Sequence, residues 1–389
     1  MVGFWRLVVQ ITVWHVAASM CFYAIYAATP LFRDAFDLTG VTVGWLIAAM
    51  TLGYAVFQLP IGMATDTFGE RVTLSVGLLG LAGLLIVTPF APTYSLLLGV
   101  LFIMGAMYGT AVPGTNKAIF DNIAAGKQHS AIGIKSIGSP IGSATSAILV
   151  TGLVGTVVWY FGFVVITGIA LVITAVFFVT YSGTSGAASD PPDFRGLIAN
   201  RPLLVLLVMG FCIGAAYYTS VGFTVLYVNE SLGAAVAVGG VVLALLQLAS
   251  STGKIVVGWL ADSLPGSPRA AIASILFVQT VCGGILFASV GFVSSPVVAG
   301  GLFVLLGLTA LGTTGLYYSY ISILVGDSEI GSASAAGSLA TTSSGLVVPP
   351  LFGYFVDVAT YGAAWGILGA LMFIAAVVVA GIYLAGSAD

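Results

Sequence analysis

Two short polar stretches, each placed between long apolar runs, decide the fold of this chain. The first reads Gly62-Met-Ala-Thr-Asp66-Thr-Phe-Gly69-Glu-Arg71, and the second reads Gly258-Trp-Leu-Ala-Asp262-Ser-Leu-Pro-Gly266-Ser-Pro-Arg269. The pattern Gly-x-x-x-Asp followed by Gly and Arg therefore recurs 196 residues later, counted from Asp66 to Asp262. An internal repeat of this kind predicts two structurally equivalent halves.

The composition places both halves in a lipid bilayer. The 389 residues are 59% hydrophobic and 6% charged, whereas a typical soluble domain is about 25% charged. A net charge of −3 offers no basic surface to phosphates, which excludes nucleic-acid binding. The apolar runs are continuous and lack the alternation of a β-barrel, so we predict an all-α integral membrane protein.

The spacing of the charges predicts twelve transmembrane helices in two six-helix bundles. A spanning helix needs roughly 20 apolar residues. Three uncharged intervals are long enough for two passes each: Arg71 to Lys117, Lys135 to Asp190, and Arg269 to Asp327. Between the fifth and sixth spans no charge marks the turn, and we place it near Gly155.

The bundles are separated by a stretch rich in Gly, Ser and Pro, which is typical of a linker. The resulting division is an N-terminal bundle at 1–181, a cytoplasmic linker at 182–201 and a C-terminal bundle at 202–389. Basic residues favour the cytoplasmic side of a membrane. Those on the terminal side outnumber Arg33 on the other side: Arg6, Arg71, Lys117, Lys127, Arg195, Arg201 and Arg269. We predict a multi-pass protein of the plasma membrane with both termini in the cytoplasm.

The repeated stretch resembles the loop motif that members of the major facilitator superfamily have between their second and third spans, with a second copy after the eighth span. The residues at the motif positions are Gly62, Asp66, Gly69 and Arg71 in the first copy and Gly258, Asp262 and Arg269 in the second. Segments 109–121, 133–142 and 349–357 also resemble that family, so the resemblance covers the whole chain. It implies a monomeric secondary carrier in which two bundles rock to expose a central site alternately to either side.

Two departures from the family pattern bear on the function. Thr67 and Glu70 stand where the family commonly has basic residues, and Ser139 interrupts the Gly-Pro pair that is typical of drug–proton exchangers. We predict a carrier of a small solute, a small organic anion in particular. A proton-coupled efflux carrier of hydrophobic compounds and a non-transporting receptor or channel are the alternatives. The sequence has no catalytic or metal-binding constellation, which predicts no enzyme activity, no cofactor and no metal.

The resemblance implies that spans one, four, seven and ten line the cavity and that spans five and eight face each other. The polar residues that this places along the substrate pathway are His15, Tyr108, Asn116, Lys135, Tyr217, Tyr218, Gln247, Lys254, Tyr317 and Tyr318. Lys135 and Lys254 would attract an oxyanion, unless they extend to the cytoplasmic interface. His15 is either a proton acceptor or a neutral packing residue. Proton coupling, which is left open, would use His15, Asp357 or the substrate itself.

The two motif aspartates are assigned a structural role at the cytoplasmic gate. Asp66 and Asp262 are expected to cap the N–H groups of the next helix and to pair with Arg71 and Arg269. Such contacts would stabilise a closed cytoplasmic face. Three tyrosines near span ends are predicted to lie in the interfacial aromatic belt: Tyr23, Tyr26 and Tyr320.

Overall fold

The computed structural model describes residues 3–183, 196–326 and 329–385, and within these ranges the chain forms helices and turns without a strand. Eleven helical segments of the described chain are long and apolar enough to cross a membrane. The remaining predicted pass corresponds to α7 (Ala125–Ser136) and α8 (Gly138–Gly152), which are separated at Ile137. With 12 and 15 residues, each of these two is shorter than a span. The all-α membrane fold is therefore confirmed, and twelve passes are consistent with it.

The helices of the first half are α1 (Phe4–Ala27), α2 (Thr29–Phe36), α3 (Gly40–Phe68), α4 (Glu70–Val87), α5 (Tyr94–Tyr108), α6 (Pro113–Asn122), α7, α8 and α9 (Phe161–Thr180). Those of the second half are α10 (Arg201–Glu230), α11 (Val236–Ser263), α12 (Pro268–Val290), α13 (Pro296–Leu308), α14 (Thr314–Leu324), α15 (Ile330–Val358) and α16 (Tyr361–Ala385). The fourth span is interrupted between α5 and α6, and the tenth between α13 and α14. The two halves thus share an interruption at the same ordinal place.

The turn that carries no charge lies where the sequence placed it. Helix α8 ends at Gly152, α9 begins at Phe161, and Gly155 in the connection has a φ of 81°. This left-handed backbone favours glycine. In the predicted linker, residues 184–195 lie outside the described residues, so the domain boundaries stay a prediction.

Contacts within the chain divide it into two compact units. Unit 1 comprises Met1–Asp37, Leu46–Asp190 and Ala235–Ala244. Unit 2 comprises Leu38–Trp45, Pro191–Ala234 and Leu245–Asp389. Each unit therefore includes the first turns of a helix, α3 or α11, whose remaining residues belong to the other unit.

Small residues allow close helix packing inside unit 1. A β-carbon at Gly53 on α3 would overlap the carbonyl oxygen of Phe102 on α5, and one at Gly105 on α5 would overlap that of Met50. Membrane helices rely on such backbone contact because apolar side chains gain little by leaving lipid for a helix interface. The two glycines therefore fix how closely α3 and α5 approach each other.

Candidate functional site

Three predicted pathway residues of unit 1 form a connected polar group. The ring of His15 on α1 is buried, and its Nδ1 lies 3.2 Å from the carbonyl oxygen of Lys135 on α7. A carbonyl oxygen only accepts, so Nδ1–H is the donor in this bond. The ammonium of Lys135, itself buried, donates to Oδ1 of Asn116 on α6 at 2.9 Å. Lys135 is thus held by a neutral amide and has no carboxylate partner in the described chain.

A second polar contact lies one turn further along α1. Ser19 and Tyr108 are joined by a hydrogen bond of 3.0 Å between their hydroxyls, and both residues are buried. The Tyr108 ring stacks on Phe22 with a centroid distance of 4.1 Å. Because His15 and Ser19 are four residues apart, they occupy one face of α1. That face of unit 1 carries an imidazole, a hydroxyl and a phenol.

Unit 2 places three predicted pathway residues together. The side-chain amide of Gln247 on α11 donates to the hydroxyl of Tyr217 on α10 at 3.4 Å. The rings of Tyr217 and Tyr218 meet edge to face at 5.4 Å. Gln247 is buried, whereas both tyrosines are half-buried. These groups offer amide and hydroxyl hydrogen bonds beside aromatic surface.

Lys254 lies on the same face of α11, two turns beyond Gln247. Its side chain is half-buried. Within the described part of the chain its ammonium has neither a hydrogen-bond partner nor an ion-pair partner. A lysine in a spanning helix without a partner is costly in free energy, and the place of Lys254 along the substrate pathway stays a prediction.

The two tyrosines of α14 have different environments. Tyr317 is fully buried in the apolar core of unit 2, and its hydroxyl has no hydrogen-bond partner among the described residues. Tyr318 is half-buried, and its ring meets that of Tyr317 edge to face at a centroid distance of 5.2 Å. The surroundings of Tyr317 favour a packing role, and its place along the pathway stays a prediction.

The first loop motif contains an ion-pair cluster. The ammonium of Lys117 on α6 lies 3.0 Å from Oδ1 of Asp66 and 3.2 Å from Oδ2 of Asp121. These two ion pairs bind α3 to α6 at the motif end of unit 1. Burial, together with the nearby carboxylates of Glu70 and Asp121, raises the pKa of Tyr181 just beyond α9. Lys117 was missed as the partner of Asp66; its four-residue spacing from Asp121 was a detectable signal for the second contact only.

The predicted capping role of the motif aspartates is wrong. Asp66 lies in the last turn of α3, and the residue that precedes α4 is Gly69, which makes no side-chain cap. The residue that caps α12 is Ser267, whose hydroxyl accepts from the N–H of Ala270. Asp262 is exposed within α11 and has no ion-pair partner in the described chain. The helices extend further than the sequence indicated, so both carboxylates end a helix and do not begin one.

The predicted pairing of the motif aspartates with Arg71 and Arg269 is also wrong. Nε of Arg71 donates to the carbonyl oxygen of Phe178 at 2.7 Å, and Nη2 of Arg269 donates to that of Ile382 at 3.1 Å. Phe178 lies in the last turn of α9 and Ile382 in the last turn of α16, where four carbonyls lack a helical partner. The arginines satisfy these carbonyls, which leaves Lys117 to neutralise Asp66.

The motif glycines differ in what they contribute. Gly69 is the single residue between α3 and α4 and has a φ of 78°, a conformation that side chains with a β-carbon rarely adopt. A β-carbon at Gly62 would be in ordinary contact with Pro113, and one at Gly258 would meet nothing. Gly69 is therefore required by the turn, and packing does not explain the other two.

Replacing Lys117 by methionine is expected to lower the apparent melting temperature of the purified protein by roughly 5 °C, because it removes the cation that pairs with Asp66 and Asp121, at a cost of about 3 kcal/mol. Adding Asp66→Asn to this variant should recover part of the loss. Thermal unfolding of the wild type, both single variants and the double variant checks this. Additive effects of the two substitutions would contradict the ion pair.

The family of the protein follows from the sequence as a whole. The model of the Major Facilitator Superfamily matches residues 12–349 of the chain. The chain belongs to this superfamily. As a member, it is a multi-pass membrane transporter of a small molecule and not an enzyme.

Relatives of this superfamily member are similar to it over most of its length. It is 24% identical over 379 residues to the hexuronate transporter of Bacillus subtilis (strain 168), which covers 92% of this chain and 89% of the relative. It is 22% identical over 386 residues to the D-galactonate transporter of Escherichia coli O6:H1, covering 88% of each. A solved bacterial homologue of the human lysosomal transporter Spinster, in an inward-facing and occupied conformation, has a TM-score of 0.80 at 15% identity and covers 98% of this chain and 96% of that one. At that identity the likeness shows the fold.

Proposed function

We propose that the protein is a secondary carrier of a small organic anion that works by alternating access in the plasma membrane, with both termini in the cytoplasm. One observation supports the proposal that the substrate is an anion. Lys254 lies in the spanning helix α11 and Lys135 in α7 of the predicted fifth pass, and both lack a carboxylate partner within the described chain, whereas Lys117 has two. Each unit therefore offers a cation that the protein itself does not neutralise.

The energetics favour a substrate that supplies the missing negative charge. A lysine at the centre of a membrane helix costs about 2.5–3.5 kcal/mol on insertion scales. The ammonium of Lys254 has no partner in the described chain, and Asn116 gives Lys135 a hydrogen bond but no opposite charge. A carboxylate that binds to either lysine regains part of this cost, and a neutral solute does not.

The neighbouring residues support a hydroxylated anion. Gln247 and Tyr217 lie beside the Lys254 face of α11, and Ser19 and Tyr108 lie beside the His15 face of α1. Amides and hydroxyls of this kind bind the hydroxyls of a polyol. Two relatives are named as transporters of hexuronate and of D-galactonate, and both of these compounds are hydroxylated organic anions. We infer that sugar acids are the substrate class.

Counterflow in proteoliposomes tests this proposal. Vesicles preloaded with D-galactonate or D-glucuronate are expected to accumulate the same labelled acid transiently and in a saturable manner. Vesicles preloaded with D-galactose, the neutral sugar of matched size, and protein-free vesicles should not. Repeating the measurement with and without an imposed pH gradient reports proton coupling. Equal counterflow with the neutral sugar, or exchange of hydrophobic amines in place of acids, would contradict the anion assignment.

Alternating access is supported by the first turns of α3 and α11. Those of α3 group with unit 2 and those of α11 with unit 1, apart from the rest of each helix. The first turns of α3 pack in unit 2 against α15, where a β-carbon at Gly44 would overlap the backbone of Pro350. The carboxylate of Asp357, near the end of α15, accepts from the N–H of Gly40 at 2.7 Å and from that of Val41 at 3.0 Å. It thereby caps α3, because the first N–H groups of a helix lack internal partners. We propose that this segment leaves α15 when the outer side opens.

Replacing Asp357 by alanine is expected to raise the hydrogen-exchange rate of the segment 38–45 about fivefold, because the loss of a helix cap costs about 1 kcal/mol. Exchange measured by mass spectrometry on the purified protein checks this. Asp262→Ala is the matched control, since Asp262 is exposed and has no ion-pair partner in the described chain. Unchanged exchange in the Asp357 variant would contradict the role of Asp357 as the cap of α3.

A further inference from the structure

Each half of the chain brings two arginines to the end of its last helix, α9 or α16. In unit 1, Nη2 of Arg6 donates to the carbonyl oxygen of Thr180 at 3.0 Å, and Nε of Arg71 donates to that of Phe178 at 2.7 Å. The guanidinium of Arg71 also lies 4.6 Å from the centre of the Phe178 ring. Both arginines of unit 1 are thus bound by α9.

The equivalent arginines of unit 2 are incompletely satisfied. Nη2 of Arg269 donates to the carbonyl oxygen of Ile382 at 3.1 Å, but its Nε is buried without a hydrogen-bond partner in the described chain. Arg201, at the start of α10, is exposed and has no hydrogen bond or ion pair to any described residue. Two guanidinium groups therefore retain free donors.

These two arginines line one cavity. Its volume is about 280 Å³, and it lies between the first turn of α10, Arg269 and the last turns of α16. Among the residues that the structure describes, no carboxylate lines it. A cavity with two guanidinium groups and no acid is complementary to a phosphate, which accepts paired hydrogen bonds from arginine.

An apolar surface continues from the cavity along the same two helices. On α10, Val205 and Val208 follow Arg201 at helical spacing and are 45% and 47% exposed. On α16, Ile374 and Val377 precede the cavity residue Gly381 at the same spacing and are 47% and 72% exposed. Because these stripes lie on spanning helices, they face lipid chains.

We propose that Arg201 and Arg269 bind the headgroup phosphate of an anionic phospholipid, with its acyl chains along the α10 and α16 stripes. A basic pocket at the end of a spanning segment is the setting in which membrane proteins select anionic lipids. The apolar continuation favours a lipid over a free phosphate, which would leave that surface unused. In unit 1 both Arg6 and Arg71 donate to carbonyl oxygens of α9, so unit 1 has no counterpart of Arg201, which has no partner in the described chain.

Native mass spectrometry of the full chain in micelles with equal amounts of phosphatidylglycerol and phosphatidylcholine tests the proposal. The wild type is expected to retain phosphatidylglycerol preferentially. Arg201→Gln should weaken its retention about fivefold, and Arg201→Gln/Arg269→Gln by more than tenfold, since each basic residue near an anionic surface contributes a factor of about five. Arg201 contacts no described residue through its charge, so the single variant is expected to keep the wild-type melting temperature.

The control variant is Arg6→Gln/Arg71→Gln, which removes the same charge from unit 1 and should leave phosphatidylglycerol retention unchanged. Arg201→Lys, which keeps the positive charge but not the paired hydrogen bonds, should retain part of the preference. Equal retention of both lipids by the wild type, or unchanged retention by the unit 2 double variant, would overturn the proposal. Displacement of the lipid by millimolar inorganic phosphate would also overturn it, because the site would then select a free anion.

Discussion

Replacing Lys254 by glutamine is expected to reduce the uptake efficiency for D-galactonate by about 10- to 150-fold, the range for loss of a hydrogen bond to a charged group. The fold should remain intact, and the melting temperature should not fall. The reason is that the ammonium has no partner in the described chain, so its removal breaks no contact and relieves the cost of a charge in a spanning helix. Uptake by proteoliposomes and thermal unfolding of the same preparations provide the two readouts.

Two comparisons separate this result from general damage. Lys254→Arg keeps the positive charge and should restore a substantial part of the uptake, because a guanidinium also binds a carboxylate. Lys117→Met should show the opposite signature, a loss of stability, since Lys117 is bound by two carboxylates. Undiminished uptake by the Lys254→Gln protein would remove the main support for anion recognition.

Replacing Gly53 by valine is expected to prevent folding. The added β-carbon would overlap the carbonyl oxygen of Phe102, and a backbone oxygen within a helix cannot rotate away as a side chain can. Overpacking commonly costs about 1–3 kcal/mol, and the backbone contact places this substitution at or above that range. Size-exclusion chromatography of a detergent extract should show aggregate in place of a monodisperse peak.

The matched control is Gly83→Val on α4. Gly83 is exposed, and a β-carbon there would meet no atom within 4 Å. Both variants exchange one helical glycine for the same β-branched residue, so propensity and hydrophobicity change equally. A folded Gly53→Val protein would show that α3 and α5 can separate without loss of the fold.

The sequence predicted the helices well because charge and apolar length determine where a chain can cross a bilayer. It located the turn near Gly155, and the repeated motif indicated two related halves. It did not predict the interruption at Ile137, which divides the fifth pass into two helices. The available signal was Pro140, which has no N–H to donate to the carbonyl oxygen of Ser136 and therefore favours a break in the helix just before it.

The contacts of the site were less predictable than the helices. The sequence named Asp66 and Arg71 together because they are close in the chain, yet their partners are Lys117 and the carbonyl of Phe178. Those partners come from other helices and depend on packing. Lys135 and Asn116 were each named, but their contact was not, for the same reason.

The tyrosines near span ends give a third example. Tyr23, Tyr26 and Tyr320 were predicted to lie in the interfacial belt, and this is wrong, since they are 6%, 1% and 0% exposed. Their position along the span was read from the sequence, but the direction in which each ring points was not. Tyr23 instead packs against Tyr26 and Tyr108 in unit 1. Distance from a span end therefore does not decide burial.

The central claim is that the carrier recognises the negative charge of its substrate. The most direct measurement compares the dissociation constants of the purified protein for D-galactonate and D-glucuronate with those for their uncharged amides, which keep the same hydroxyls. The amides are expected to bind at least tenfold more weakly, which is equivalent to about 1.4 kcal/mol. Equal affinity for an acid and its amide would contradict this claim.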